Sequence, residues 1–289
     1  METQPETLAQ VYPDLAEGGT MYFGFRVHKL IAALPLALGL LAGCKASQAG
    51  ASDPAISTSP SPSAGDIQAS ADPVLQGGPL RVLLEDLKAK ASPEQSAQIW
   101  SAINASPQLI IQLNGLAKSG QLERIDIGSA EPFGARADKK RIVLMPDYLK
   151  ALAQSQPAHV RPADGVAPNN LTFVLGHLAY HLAKAPPPMS AFNSPMAYAQ
   201  ARIADEAASD IQGWNDTIGA AEKENGGKQL SVPQVGYILA SLRYRAVFLK
   251  ADQSNPKLAY AQTGRIEPNP QNLAAVVTAI ASTNVRDYE

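Results

Sequence analysis

Two histidines four residues apart, His177 and His181 in Gly176-His-Leu-Ala-Tyr-His181, are the pair whose type and spacing could first do chemistry. On a helix, residues i and i+4 project from one face about one turn apart, so both imidazoles can reach a single ion. The spacing also fits two core histidines satisfied by ordinary hydrogen bonds. A second group stands downstream in Ala204-Asp-Glu-Ala-Ala-Ser-Asp-Ile211, where Glu206 and Asp210 have the same i, i+4 relation. A catalytic zinc site takes three protein ligands, two histidines and a glutamate being one version, and keeps its fourth position for water. A carboxylate that accepts the other ring proton of a ligating histidine fixes the ring's orientation. His177, His181 and Glu206 are thus a candidate metal set, and Asp210 a candidate orienting carboxylate. The plainer reading of the downstream segment is an amphipathic helix with acids facing water and alanines facing inward.

Together the two segments resemble the thermolysin-like gluzincin metallopeptidases, which carry His-Glu-x-x-His on one helix and Glu-Ala-x-Ser-Asp on the next. The resemblance implies His177 and His181 as paired zinc ligands, Glu206 as the third, and Asp210 as the carboxylate that orients His177. Asp205 stands where those enzymes often have asparagine. The resemblance runs from His177 to Ile211 and no further. It also implies a zincin-like two-helix metal site.

One departure bears directly on function: Leu178 occupies the position at which these peptidases place the glutamate that activates water. Leucine neither takes nor gives a proton, and a positioned general base is worth roughly 10²–10⁴ in rate. The expectation is therefore a zinc-binding but catalytically impaired relative, to which Leu178→Glu would return weak cleavage if that face lines a cleft. Leu178 also continues the stripe Leu171, Leu175, Leu182, which is a core face at helical spacing. No histidine follows His181 to stabilise an oxyanion; Tyr237, Tyr244 and Tyr260 are the available substitutes. His159, in the loop Pro157-Ala-His-Val-Arg-Pro162, is either a fourth ligand or a solvated histidine. Two other readings stay open. One is an active zinc metallohydrolase whose base is Asp205 or a carboxylate from a distant loop. The other is a metal-free lipoprotein that binds a peptide or protein partner, as an inhibitor, immunity factor or assembly element would.

The amino-terminal region sets the compartment. Leu30–Leu41 reads LIAALPLALGLL, an apolar run too short to span a bilayer, preceded by Arg26 and Lys29. With Leu41-Ala42-Gly43-Cys44 behind it, this is the layout of a secretory signal. Leu-Ala-Gly-Cys resembles the lipobox of bacterial lipoproteins, which implies that Cys44 is acylated and becomes the first residue of the mature protein. Cys44 is the single cysteine, so no internal disulfide can form. Residues 1–20 hold four acids and no base, the wrong charge for a signal, and Met21 opens a normal one. Losing residues 1–43 removes Glu2, Glu6, Asp14, Glu17, Arg26 and Lys29 and leaves acids and bases in equal number. A neutral domain has no basic excess for nucleic acid, so attachment to the lipid bilayer must come from the acyl chains. The expected location is the cell envelope, facing the periplasm.

These residues need elements to position them. Residues 44–78 are rich in Ser, Pro and Ala and read as a flexible tether. Residues 79–289 read as one domain of class α+β, mainly helical with a small β-sheet. Helices are predicted over Pro79–Ala89, Pro93–Ile103, from Ser106-Pro107 onward, Asp147–Ala153, Asn170–Lys184, Ser194-Pro195 to about Asn225, Val232–Lys250 and Gln271–Ser282. Arg124–Ile127 and Arg141–Met145 read as strands joined by a polar loop containing Pro132 and Gly134. Trp214 and Asn215 read as helix packing, and Arg243, Arg245 and Lys250 as the solvated face of one helix beside Tyr244 and Phe248.

Overall fold

The computed structural model describes residues 21–22, 76–130, 134–153, 169–184 and 188–282. Cys44 with its lipobox, the apolar run before it, the tether to residue 75 and the His159 loop lie outside the described residues.

Three helices open the domain: α1 (Pro79–Lys90), α2 (Pro93–Ala105) and α3 (Pro107–Lys118). Each has proline in its first turn, where the missing N–H costs nothing because that donor has no partner inside the helix. Ser92 and Gln95 form a reciprocal capping box on α2, and the Ser106 hydroxyl accepts from the Leu109 N–H to cap α3. A small mixed sheet follows, with β2 (Arg124–Ile127) parallel to β4 (Arg141–Leu144), and β3 (Ala135–Asp138) antiparallel to β4 on its other side. The two-residue strand β1 (Met21–Tyr22), from the segment predicted to be a leader, pairs antiparallel with β3.

The remaining helices are α4 (Pro146–Ala153), α5 (Asn170–Ala183), α6 (Pro195–Glu224), α7 (Val232–Ser241), α8 (Arg245–Asp252) and α9 (Pro270–Ser282). Among the described residues the domain is mainly helical with a small mixed sheet, an α+β fold as expected.

Two sequence expectations need correction. Strand β3 lies in what reads as a polar loop, because Ala-Arg-Ala-Asp carries no large apolar residue to signal a strand. The β3–β4 turn also lacks the usual Asn-Gly: Lys139 and Lys140 take the positive φ values of 43° and 67° themselves. The second correction is that Val232–Lys250 is two helices rather than one. Leu242 is extended and buried, and the Arg243 N–H donates to the Asn170 side chain instead of continuing the helix. Arg243 thus sits in the break, and Tyr244 turns inward to stack on Phe173.

Helix α5 is the centre of the domain, touching α2, α3, α4, α6 and β3. Its burial runs nearly all round, from Leu171 through Ala179, so the leucine stripe is only part of its covered surface. Asn169 caps it by accepting from the Thr172 N–H, and the Thr172 hydroxyl donates to the Ala102 carbonyl of α2.

Its closest neighbour, α6, lies against two glycines that permit the approach. A Cβ on Gly213 would fall 2.6 Å from the Phe173 carbonyl oxygen, and one on Gly176 would fall 2.3 Å from an Asp216 carboxylate oxygen. Backbone cannot yield as a flexible side chain can. Gly213→Ala is expected to push α5 and α6 apart at a cost of about 3 kcal/mol, the upper end for overpacking. Thermal denaturation checks this, and an unchanged melting temperature would show that the helices tolerate the added methyl.

Asp216 is wholly buried at the same interface, with Oδ1 3.5 Å from the Ser106 hydroxyl and Oδ2 accepting from the Gln212 amide at 3.0 Å. Burial raises its carboxyl from 3.8 to about 7, against the lowering effect of the Gln212 hydrogen bond, the Arg265 charge and Ser106. A folded value above the unfolded one means that this stabilisation is complete below 3.8 and is lost as pH rises through 7. Asp216→Asn should therefore match the wild type near pH 4 and exceed it at pH 8, by about 2–4 kcal/mol. Urea titrations at the two pH values measure the difference, and equal stabilities at pH 8 would contradict it.

Candidate metal centre

Helix α5 carries His177 and His181, both buried, and α6 brings Glu206 and Asp210 against them. Capping sets the start of α6: the Ser194 hydroxyl accepts from the Ala197 N–H, with Pro195 in the first turn. From there, helical period puts Glu206 and Asp210 on the side that packs on α5.

The four residues meet as the spacing suggests. Nε2 of His177 lies 3.0 Å from Nε2 of His181, and Glu206 Oε2 lies 3.3 Å from the first and 3.6 Å from the second. Zinc bonds of about 2.0–2.2 Å in a tetrahedron hold ligand atoms roughly 3.3–3.6 Å apart. The observed triangle therefore fits an ion at its centre, and the three residues could together hold a metal.

On the far side of each ring a carboxylate takes the other nitrogen. Asp210 Oδ1 is 2.9 Å from His177 Nδ1, and Asp205 Oδ2 is 3.1 Å from His181 Nδ1. With both Nδ1 protons donated to carboxylates, the two Nε2 lone pairs face each other and an oxygen of Glu206. Three acceptors that close repel one another unless a cation sits among them.

In the absence of metal the cation is a proton. Burial lowers the His181 imidazole, but the Glu206 charge and the Asp205 hydrogen bond outweigh it and raise the group to about 9. Burial works on Glu206 in the opposite sense, raising it, yet the charge of His181 and hydrogen bonds from both histidines leave it well below the usual carboxylate range. Asp210 is pushed up by burial, with the His177 hydrogen bond opposing.

Two partners of the site were not assigned from sequence. Asp205 orients His181; the only hint is that a second buried histidine also needs a carboxylate. The Ser209 hydroxyl donates to the Glu206 carbonyl at 2.7 Å and lies 3.2 Å from both ring nitrogens of His177, packing the ring from the side.

Leu178 is fully buried within the apolar core. Its place in the stripe with Leu171 and Leu175 is a packing position, so a glutamate there would meet hydrocarbon. Tyr244 bonds its hydroxyl to that of Tyr148 and stacks on Phe173, whose ring lies 6.4 Å from that of His177. The Tyr237 and Tyr260 hydroxyls are buried with no hydrogen-bond partner among the described residues, and Tyr260 packs on Trp214. Trp214 and Asn215 do serve packing: the indole N–H donates to the Gly264 carbonyl, and the Asn215 amide pairs with both backbone groups of Ile266.

No protein-family model, curated protein or solved structure matches this chain.

Proposed function

We propose that this protein is a membrane-tethered lipoprotein whose zincin-like domain holds one zinc ion through His177, His181 and Glu206 and has little or no peptidase activity. The observation that carries the reading is the convergence of three acceptor atoms at 3.0, 3.3 and 3.6 Å, while each histidine's other nitrogen is held by its own carboxylate. Zinc, when bound, would supply a Lewis acid and a water of lowered pKa at its fourth position.

The chain's own groups do the rest of the work. Asp210 and Asp205 keep His177 and His181 turned with Nε2 toward the centre, and Glu206 adds the charge that offsets a cation. Leu178 cannot take a proton, and Asp205 already accepts from His181. That engagement weighs against the alternative of an active hydrolase that uses Asp205 as base.

Elemental analysis of the purified chain, with melting measured before and after a chelator, tests the reading. Near one equivalent of zinc and a chelator-induced drop in melting temperature is the expected result. No metal and an unmoved melting curve would favour the metal-free, partner-binding alternative.

The tethering half of the proposal rests on Leu41-Ala42-Gly43-Cys44 and the apolar run before it. Among the described residues no helix is long and apolar enough to cross a membrane. Cys44→Ser is expected to abolish incorporation of labelled palmitate and shift the protein out of the detergent phase, because no other thiol exists to receive the lipid. Normal labelling of this variant would sink the lipid anchor.

A further inference from the structure

Strand register sets two charged rows on one face of the sheet. Arg136 of β3, Val143 of β4 and Asp126 of β2 are Cα partners across the three strands, and Asp138, Arg141 and Arg124 are the partners two residues along. Residues two apart in a strand share a face, so all six lie on the side opposite the buried Ala137, Ile142 and Ile125. Three arginines there meet two aspartates. At the β2 edge of the sheet, beside the end of α1, a cavity of about 290 Å³ is lined by Arg136, Arg141, Lys90, Asp126, Ser129 and Val143 among others.

The two arginines that line it are poorly engaged. Among the described residues Arg136 donates no hydrogen bond, and its one ion pair, with Asp138, is 3.9 Å long. Arg141 donates through Nη2 to Asp138 at 3.2 Å, whereas its Nη1 lies 4.0 Å from Asp126. Nε of each arginine is buried, but the unbonded Nη groups are not sealed, and the two side chains are 21% and 31% exposed. Asp126, the one acid of the lining, also pairs with Arg124 at 3.6 Å. The cavity therefore keeps an excess of positive charge and open guanidinium donors.

We infer that this cavity binds a phosphate group, gripped by the Nη groups of Arg136 and Arg141. A carboxylate has two oxygens, which one guanidinium fork uses up, whereas a phosphate has enough oxygens for two forks at once. A phosphate monoester also brings nearly two negative charges at neutral pH. Ligand pockets run from roughly 300 to 1,000 Å³, so this one, at the lower edge, takes a small ester or the exposed phosphate of a larger molecule. None of its residues belongs to the metal site.

A soluble ester and a lipid headgroup present the same chemistry, and titration of the full chain carrying Cys44→Ser, which has no lipid anchor of its own to enter vesicles, separates them. One arm uses glycerol 3-phosphate, and the other uses phosphatidylcholine vesicles with and without phosphatidic acid. Binding of the soluble ester assigns the site to a free phosphate; binding of the phosphatidic acid vesicles alone assigns it to a headgroup. In the arm that binds, Arg136→Gln is expected to weaken affinity at least about tenfold, the scale of one charge-assisted contact. Its melting temperature should stay near that of the wild type, because Arg136 gives up no hydrogen bond. Arg136→Lys, which keeps the charge but not the fork, should fall between and serves if the glutamine variant fails to fold. Arg124→Gln removes the same charge from the same face without lining the cavity, so salt screening should hold its effect below about twofold. No binding in either arm, or equal weakening by Arg136→Gln and Arg124→Gln, would overturn the assignment.

Discussion

One equivalent of zinc is expected to leave the chain entirely in His177→Ala and in Glu206→Ala, with the two variants also melting below the wild type. The three ligand atoms form a closed triangle, so removing any one of them leaves two ligands, too few for a stable tetrahedral site. The two variants should differ in the size of the stability loss. His177→Ala strands the Asp210 carboxyl, which is buried and has the His177 ring nitrogen as its partner at 2.9 Å. Removing one member of a buried pair costs about 3–5 kcal/mol. Glu206→Ala removes a carboxylate that is one-fifth exposed, and His181 can then give up its proton and stay neutral, so its cost is smaller. Metal content by mass spectrometry and unfolding by urea, with and without chelator, give both numbers. Retention of stoichiometric zinc by either variant would mean that the ion sits elsewhere.

A pH dependence follows from the same site. His181 holds its proton up to about 9 when the metal is absent, so zinc must displace a proton to bind at neutral pH. Apparent zinc affinity should rise about tenfold per pH unit between pH 7 and pH 9 and then level off. In the metal-free protein the sign is different. His181 stabilises the fold fully below its ordinary 6.5 and loses that contribution as pH rises through about 9.

Leu178→Glu is expected to destabilise the domain by at least about 3 kcal/mol and to produce no peptidase. From sequence alone the substitution looks like the repair of a broken active site. The structure places the side chain at 0% exposure in the apolar cluster with Leu175 and Val174, where a carboxylate has no partner. Leu178→Met, which conserves volume, should cost less than about 1.5 kcal/mol and marks how much of the loss is charge rather than shape. The glutamate variant should also recover stability as pH falls, because protonation removes the buried charge. Urea denaturation at two pH values and a chelator-controlled peptide assay decide the matter. A stable Leu178→Glu protein with chelator-sensitive cleavage would show that this side chain reaches the metal after all.

What could be read from the sequence depended on local signals. The caps at Ser106 and Ser194, each followed by proline, mark helix starts because the side-chain oxygen and the missing N–H both act within one turn. The i, i+4 spacing of His177 with His181 and of Glu206 with Asp210 was equally local, and it identified four of the six side chains that make the centre, leaving Asp205 and Ser209 to the structure. Strand β3 escaped because alanines give no alternation of large apolar residues and two lysines hold its turn. The break at Leu242–Tyr244 escaped because Asn170, some seventy positions away in the chain, supplies the competing acceptor for the Arg243 N–H.

The residue types and their helical period were therefore determined by sequence alone, and so were the candidate metal set and the absence of a base after His177. Tertiary structure decided two other matters. It turned Asp205 from a candidate base into the partner of His181, and it sank Leu178 into the core. Each depends on which groups from distant parts of the chain fill the space around a side chain. Helical period fixes the direction in which a residue points, but burial and pairing depend on what lies there, and that is known only once α5 and α6 are packed together.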